Sequence, residues 1–185
     1  MLCIFVMICA KVFAQASLVA LHNDAYDVVY NPRTCNAEFV TYILDDSDIG
    51  GLHRSDAGAF RVDKRCPKPR ATTKDYVNSG YHRGHLCPSA DRSANAQLMR
   101  QTYLLSNVVP MVPRVNMVGW KMTESVTRMM AQKYGRVRVR IWTFIEGRDT
   151  SYLRCSPVAI PTHFAKQVCT VESDSVLVEW RYANR

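Results

Sequence analysis

The chain has 185 residues, which is enough for one domain with a buried core and too few for two domains of ordinary size. Hydrophobic residues make up 48% of it, and this composition excludes an intrinsically disordered protein. Lysine and arginine outnumber aspartate and glutamate by 24 to 16, so the surface suits a polyanion such as nucleic acid or an anionic membrane, although a solvated basic surface without a partner has the same balance.

The first residues have the features of a secretory signal peptide. Leu2–Ala10 is an apolar run too short to cross a bilayer, and small residues at Ala14 and Ala16 follow at the spacing of a signal-peptidase site. We therefore expect residues 1–16 to be a signal peptide and residues 17–185 to be a single domain. The mature protein is then secreted or periplasmic and has no membrane attachment.

Cysteine usage agrees with export. The cysteines beyond residue 16 are Cys35, Cys66, Cys87, Cys155 and Cys169. In an oxidising compartment most of them would be paired, and because their number is odd, at least one is free or pairs with another chain. We predict a local disulfide between Cys155 and Cys169 and leave the others unassigned.

The first half of the chain is predicted to contain strands separated by a long loop. Glu38–Leu44 has the β-branched and aromatic residues of a strand, and residues 45–80 have the glycine, proline and aspartate content of a loop. Tyr81–Cys87 is a short predicted strand. Tyr103–Val109 is a stronger one, which Pro110 should end.

A helix is predicted from Met117 to Tyr134, with Gly135 as its C-terminal cap. Its apolar positions recur at i, i+4, i+7 and i+8, a spacing that predicts a buried stripe. The stripe consists of Met122, Val126, Met129 and Met130.

Three strands are predicted after the helix. Val137–Ile145 alternates apolar residues with arginines, as a half-buried strand does, and Ala165–Val171 and Val176–Trp180 follow. The predicted fold class is therefore α+β, with a mixed or antiparallel sheet and a central strand–loop–strand–helix unit.

The segment from residue 81 to residue 88, Tyr-His-Arg-Gly-His-Leu-Cys-Pro, carries residue types suited to phosphate chemistry. Because side chains alternate along a strand, Arg83 and His85 should share one face and His82 the other. A guanidinium can bind phosphate through two hydrogen bonds, and a neutral imidazole can accept a proton from water near pH 7. Gly84 leaves room for a closely approaching backbone. Taken alone, a histidine in such a segment is more often structural.

A second group, Asn116, Trp120 and Glu124, is spaced i, i+4 and i+8, which places the three side chains on one face of a helix. Amide and carboxylate oxygens suit a hard, hydrated cation such as Mg²⁺, which keeps several water ligands. The alternative is structural: a helix cap at Asn116, a core Trp120 and a surface Glu124.

The two groups together resemble the DNA/RNA non-specific endonucleases of the ββα-metal superfamily, in particular their secreted bacterial members. That family has Asp-Arg-Gly-His with Pro three residues later, then Ser/Thr-Asn-x-x-Pro-Gln. An Asn lies nine residues past the first Asn, a Trp four further on and a Glu four beyond that. The matching residues are Arg83, Gly84, His85, Pro88, Asn107, Pro110, Asn116, Trp120 and Glu124.

The resemblance implies an activity and a set of roles. The activity would be sequence-non-specific endonuclease hydrolysis of DNA and RNA, with 5′-phosphate and 3′-hydroxyl products. His85 matches the general base, Asn116 the single direct metal ligand, and Glu124 a residue that holds metal-bound water. Asn107 matches a residue that orients the site. The metal would be Mg²⁺, with Mn²⁺ or Ca²⁺ able to substitute.

Arginines complete the set of catalytic residues that the resemblance implies. Arg83 belongs to the motif itself. The family also has an upstream arginine that contacts the transition-state phosphate. Arg54 is our match for it, because it precedes Phe60 and Asp63 in a similar pattern, and Arg61 is the rival.

The chain departs from the family pattern at three places. His82 stands where the family has Asp, Met111 stands where it usually has Gln, and a Thr-Gly pair common after the helix is missing near Trp142. Because alternation places His82 away from His85, we expect His82 to have a supporting role. We predict that the protein is active, and that His82→Asp keeps or raises the activity.

Three alternatives to this function remain open at the level of sequence. The first is a catalytically impaired relative that binds nucleic acid, which the departures at His82 and Met111 favour. The second is a structural zinc site, for which the residue types suit zinc. Its ligands would be Cys66, His82, His85 and Cys87. The third is a disulfide-bonded secreted domain in which the motif spacings are coincidental.

Overall fold

A computed structural model describes residues 17–146 and 150–185. Within these residues, eight strands form two antiparallel sheets. The larger sheet has six strands, which lie side by side in the order first, second, third, sixth, seventh and eighth along the chain. The fourth and fifth strands form a separate two-stranded ribbon. The predicted α+β class with an antiparallel core is confirmed. In chain order the strands are β1 (Val19–His22), β2 (Asp27–Asn31), β3 (Asn36–Asp45), β4 (His82–His85), β5 (Val108–Met111), β6 (Arg136–Phe144), β7 (His163–Thr170) and β8 (Val176–Ala183), and the α-helices are α1 (Ala96–Gln101) and α2 (Lys121–Tyr134).

The centre of the sheet follows the predicted alternation. On β6, Val137, Val139 and Ile141 are fully buried. The intervening Arg138 and Arg140 are half-buried, and both form ion pairs with a carboxylate of the β7–β8 turn. The period-two pattern of the sequence is therefore the inside–outside pattern of the strand.

The helix α2 is preceded by a wide turn. Residues Val115–Trp120 form a π-helical turn that leads directly into α2, and Gly135 ends α2 with a φ of 78°, as predicted for a cap. An extra residue in this turn rotates the following side chains around the helix axis. The regular i, i+4, i+8 arrangement expected for residues 116, 120 and 124 is thus interrupted at its first step.

The predicted buried stripe on this helix is wrong. Met122 and Met129 are 52% and 64% exposed, and α2 instead buries Thr123, Thr127 and Ala131. The threonine hydroxyls are satisfied within the helix, because Oγ1 of Thr123 donates to the Trp120 carbonyl and Oγ1 of Thr127 donates to the Thr123 carbonyl. Small side chains let the helix pack closely on the sheet, so size and local hydrogen bonding outweighed hydrophobicity in selecting the inner face.

The ribbon that carries the His-Arg-Gly-His segment differs from prediction at its second strand. The segment from residue 105 to residue 107 forms a 3-10 turn, and β5 begins only at Val108. Pro110 does not end the strand; it lies within β5 opposite Arg83. Proline is tolerated there because the ribbon has only two strands, so β5 needs no hydrogen-bonded neighbour on its other side.

Gly84 provides space for the partner strand's side chain. A Cβ built at Gly84 would lie 2.8 Å from Cβ and 2.9 Å from Cε of Met111, which is fully buried. We expect Gly84→Ala to lower the free energy of unfolding by about 1–3 kcal/mol through overpacking. Urea unfolding of the single and double variants with Met111→Ala checks this, because the two effects should be less than additive. Gly51→Ala is the control, since its Cβ meets nothing within 4 Å, and equal losses at the two glycines would contradict the expectation.

The C-terminus fixes the ribbon to the sheet. The Asn184 side chain accepts a hydrogen bond from the Val112 amide (2.8 Å) and donates to the carbonyls of Pro110 (3.0 Å) and Pro161 (2.9 Å). Since Asn184 follows β8 directly, the last strand of the sheet holds the end of β5. This connection sets where the ribbon and the start of the helix meet.

The remaining predictions on topology have mixed outcomes. The segment 45–80 is largely irregular, as predicted, and contains 3-10 turns at Asp46–Asp48, Arg54–Ala57 and Thr73–Tyr76. The cysteines that the structure describes are free thiols, so the predicted disulfide between Cys155 and Cys169 is wrong. The predicted signal peptide lies outside the described residues, within which no helix has the length and hydropathy needed to span a membrane.

Candidate active site

An open cavity of about 310 Å³ lies where the ribbon, the start of the helix and the loop after β3 meet. Five of the predicted site residues line it: Arg54, Arg83, His85, Asn116 and Glu124. They come from segments far apart in the chain, so the fold brings together residues that the sequence only suggested. The cavity is large enough for a phosphate group with several water molecules.

His85 is held between two aromatic rings. Its ring centroid is 5.0 Å from that of Phe60 and 4.9 Å from that of Tyr103, the latter edge-on. The indole Nε1 of Trp120 donates to the His85 carbonyl at 2.9 Å, which fixes the backbone on the other side. The Nε2 atom of His85 is buried and has no hydrogen-bond partner among the described residues. The imidazole is therefore fixed by packing rather than by a polar partner.

This environment keeps the imidazole neutral. Burial, followed by the positive charge of Arg54, lowers the pKa of His85 to about 3. At neutral pH the ring is therefore uncharged, and its pKa lies well below the near-neutral value that the sequence suggested. Burial is the main cause, and the sequence could not reveal it.

The lowered pKa makes His85 a source of acid sensitivity. The unfolded chain binds a proton at this residue below about pH 6.5 and the folded chain does not until about pH 3, so stability falls as the pH drops through this interval. Between pH 6.5 and pH 5 the wild type should lose about 2 kcal/mol more than His85→Ala. Urea unfolding at both pH values measures the difference, and parallel losses in the two proteins would show that the folded and unfolded chains have the same pKa at His85.

Two guanidinium groups face the same cavity. Arg83 lies over the Phe60 ring at 5.0 Å, and Arg54 lies 6.0 Å from the centroids of both Phe60 and Tyr103. In the described parts of the chain, neither arginine forms an ion pair, whereas seven ion pairs use other arginines. Their charges are thus available to an anion. The rival Arg61 is exposed and lines no part of this cavity, so the structure brings Arg54 to the site and not Arg61.

Asn116 and Glu124 contribute an amide group and a carboxylate group to the lining of the same cavity. Asn116 lies in the π-helical turn and Glu124 in the first turn of α2. Trp120, between them in sequence, points into the core and is fully buried. Burial raises the pKa of Glu124 to about 7, an effect that the positive charge of Lys166 opposes. Among residues 17–146 and 150–185, no donor bonds to the Asn116 side-chain oxygen or the Glu124 carboxylate. Two such oxygen groups fit a hard divalent cation, so these residues match the metal site that the family resemblance implies.

Asn107 lies behind the site and does not line the cavity. Its side chain accepts a hydrogen bond from the Cys87 amide (2.9 Å) and donates to the carbonyls of Cys87 (2.8 Å) and Thr102 (2.9 Å). The side chain is fully buried, and these three bonds hold the residues that follow His85. Its geometry is that of a residue that orients the segment after β4.

His82 occupies a different face from His85, as alternation suggested. It lines a second depression of about 320 Å³ that shares Arg54, Arg83 and Asn116 with the first. The alternative zinc site is not assembled: within residues 17–146 and 150–185, no group of three or more His, Cys, Asp or Glu side chains could hold a metal.

Several residues of the site had no predicted role. The aromatic rings of Phe60 and Tyr103 enclose His85, and the fully buried Lys166 lies with Nζ 5.6 Å from the centroid of Trp120. A lysine in the apolar strand at 165–171 is an unusual inward-facing charge. That irregularity was visible in the sequence, but nothing there connected it to residues 40 or more positions away.

Comparison with known proteins decides the family. The sequence profile of the DNA/RNA non-specific endonucleases matches residues 7–183. The chain belongs to this family. Among curated members of it, the chain is 32% identical over 167 residues to mitochondrial endonuclease G of Bos taurus, covering 85% of this chain and 56% of that protein. It is 30% identical over 167 residues to nuclease C1 of Cunninghamella echinulata var. echinulata, covering 84% and 66% of the two chains.

The fold agrees with that of a solved structure. A chain in the crystal structure of the EndoG/EndoGI complex superposes with a TM-score of 0.76 and 23% sequence identity, covering 90% of this chain and 74% of that one. The present chain spans little more than half the length of the mammalian endonuclease G proteins that it matches. The described residues have the fold of a DNA/RNA non-specific endonuclease.

Proposed function

We propose that the chain is a divalent-metal-dependent endonuclease that hydrolyses phosphodiester bonds of DNA and RNA without sequence specificity. One observation carries the proposal: a neutral imidazole, two guanidinium groups that form no ion pair with a described residue, and amide and carboxylate oxygens all line one cavity. These are the groups that a phosphodiesterase needs for proton acceptance, anion binding and metal binding. Family membership supports the same assignment.

In the proposed mechanism the two arginines hold the scissile phosphate. Arg83 and Arg54 donate to its nonbridging oxygens, and their stacking on Phe60 limits their movement. His85 accepts the proton of the attacking water, and a bound phosphate would offset the charge of Arg54 that contributes to its low pKa. The products are 5′-phosphate and 3′-hydroxyl ends.

Asn116 and Glu124 would hold the cation, Asn116 directly and Glu124 through water. When bound, Mg²⁺, or Mn²⁺ or Ca²⁺ in its place, supplies positive charge against the charge that develops on the phosphate and on the leaving oxygen. Ionised Glu124 accepts hydrogen bonds from water molecules in the cavity and so holds those water molecules in place beside Asn116. Trp120 and Asn107 keep His85 and the irregular segment after it in place.

The direct test is cleavage of supercoiled plasmid and of single-stranded RNA by the purified protein with Mg²⁺, Mn²⁺, Ca²⁺ or EDTA. We expect both substrates to be cut at many sites with Mg²⁺ or Mn²⁺, and neither with EDTA. End-labelling identifies the phosphate-bearing end. Binding without cleavage under every metal condition would instead identify an impaired nucleic-acid-binding relative, the function that His82 and Met111 favour.

We also propose that the mature protein acts outside the cytoplasm, in the medium or the periplasm. The support is the signal-like sequence of residues 1–16. Fractionation of cells that express the full chain, with N-terminal sequencing of the exported form, tests the location and the cleavage site.

Substrate binding is expected to depend on phosphates rather than bases. Affinity for a short duplex in EDTA should fall linearly as salt rises on logarithmic axes, and Arg54→Gln or Arg83→Gln should each reduce the slope by about 1. Arg136→Gln is the matched control, because Arg136 is paired with Asp45 and lines neither cavity of the site. Fluorescence anisotropy across a salt series measures the slopes. Equal slopes in all four proteins would place the phosphate contacts elsewhere.

A further inference from the structure

The side chain of Asn116 has one polar contact to a described residue. Its Nδ2 atom lies 3.3 Å from Nδ1 of His82, which reaches it from β4, 34 positions earlier in the sequence. The Asn116 backbone amide is separately satisfied by the Val112 carbonyl (3.0 Å). The orientation of the Asn116 amide group around its last rotatable bond is therefore set by His82.

Asn116 separates two cavities. It lines both the cavity of about 310 Å³ and the depression of about 320 Å³, whereas His85 and Glu124 line only the first and His82 only the second. One end of the amide can thus face the proposed metal and the other end His82. The two ends differ, because the oxygen is an acceptor and the nitrogen carries two donors.

The chemistry of the contact selects one arrangement. Because Nδ2 of Asn116 can only donate, Nδ1 of His82 is the acceptor in this contact, and Oδ1 is left for the first cavity. In the opposite arrangement the N–H donors would face the cation, and the metal would lose its direct protein ligand. We propose that His82 is a positioning residue that orients the Asn116 amide so that its oxygen faces the metal; this inference rests on the proposed function.

In the described part of the chain, no other side chain around the second depression forms a hydrogen bond with the Asn116 amide. Arg54 and Arg83 have only donors. The Tyr76 hydroxyl donates to the Val108 carbonyl at 3.4 Å, Phe60 is apolar, and the contacts of Tyr81 do not include Asn116. Among the described residues, His82 is thus the one that accepts from the amide of Asn116. A carboxylate, which the family resemblance predicts at this position, is also an acceptor, so the replacement of Asp by His preserves the required hydrogen-bond polarity.

The test compares acceptors with a non-acceptor at residue 82. The affinity of the metal-free protein for Mn²⁺ is measured by isothermal titration calorimetry and by electron paramagnetic resonance of free Mn²⁺. His82→Gln and His82→Asp keep an acceptor and should bind Mn²⁺ within about 3-fold of wild type, whereas His82→Met should bind about 10–100-fold more weakly. His22→Met, at an exposed position that lines neither cavity, is the control.

A second background separates orientation from folding. The carboxylate of Asn116→Asp has two equivalent oxygens, so it needs no neighbour to orient it. Adding His82→Met to this variant should therefore change the Mn²⁺ affinity by less than about 3-fold. This expectation holds even if His82→Met lowers the melting temperature. Full Mn²⁺ affinity in His82→Met, equal weakening in His82→Gln and His82→Met, or the same loss in both backgrounds would each overturn the positioning role. Each of those results is compatible with plasmid cleavage by the wild type, so the proposed function would still stand. A wild-type protein that binds no Mn²⁺ and cuts no plasmid would instead overturn the proposed function together with this inference.

Discussion

Replacing His85 with alanine is expected to lower the rate of phosphodiester cleavage by about 10²–10⁴-fold, the usual contribution of a general base. His85 is the one imidazole that lines the cavity of the candidate site, within the described residues, and its lowered pKa leaves it uncharged at neutral pH. Single-turnover cleavage of a labelled duplex at saturating enzyme measures the chemical step. Binding of the same duplex in EDTA should change by less than about 3-fold, because the base acts on water and not on the bound phosphate.

His22→Ala is the control for this experiment. His22 is exposed on β1 and pairs with Asp27, and removing such a surface pair costs little. Circular dichroism and melting temperature establish that both variants are folded. A folded His85→Ala protein with wild-type turnover would assign proton acceptance to another group.

Replacing Asn116 with alanine is expected to reduce cleavage at least about 10²-fold at millimolar Mg²⁺, because the cation loses its direct protein ligand. Raising the Mg²⁺ concentration should restore part of the rate, since Glu124 still binds the hydration shell. Initial rates across a Mg²⁺ series separate a weaker metal affinity from a slower chemical step. The duplex affinity in EDTA should be unchanged, because Asn116 contacts no phosphate in the proposed mechanism.

Gln132→Ala is a suitable control, because Gln132 is exposed on α2 and lies two turns beyond Glu124. It should cleave at the wild-type rate throughout the Mg²⁺ series. If Asn116→Ala had the same Mg²⁺ dependence as this control, Asn116 would not be the ligand. Metal found on Cys or on both His82 and His85 in a metal-bound structure would refute the assignment directly.

The fold class and most strand positions could be predicted because they depend on short-range patterns. The alternation on β6 and the glycine after α2 are local signals, and both are present in the structure. The inner face of α2 could not be predicted in this way. Four methionine and valine positions gave the stronger apolar stripe, but the helix packs through Thr123, Thr127 and Ala131, since close approach to the sheet requires small side chains whose polar groups bond within the helix.

By itself the sequence determined the set of residues available for chemistry. The motif from Arg83 to Glu124 has several independent spacings, and five of its members, together with Arg54, line one cavity. Only the tertiary structure decided what surrounds them. Burial lowers the pKa of His85, which lies between Phe60 and Tyr103, and Trp120 is buried at the end of the wide turn before α2. Packing between distant segments sets the dielectric environment and the hydrogen-bond partner of each group, and no local pattern encodes these. The contact of His82 with Asn116 is of this kind, because two residues 34 positions apart share one hydrogen bond only after the ribbon and the helix have met.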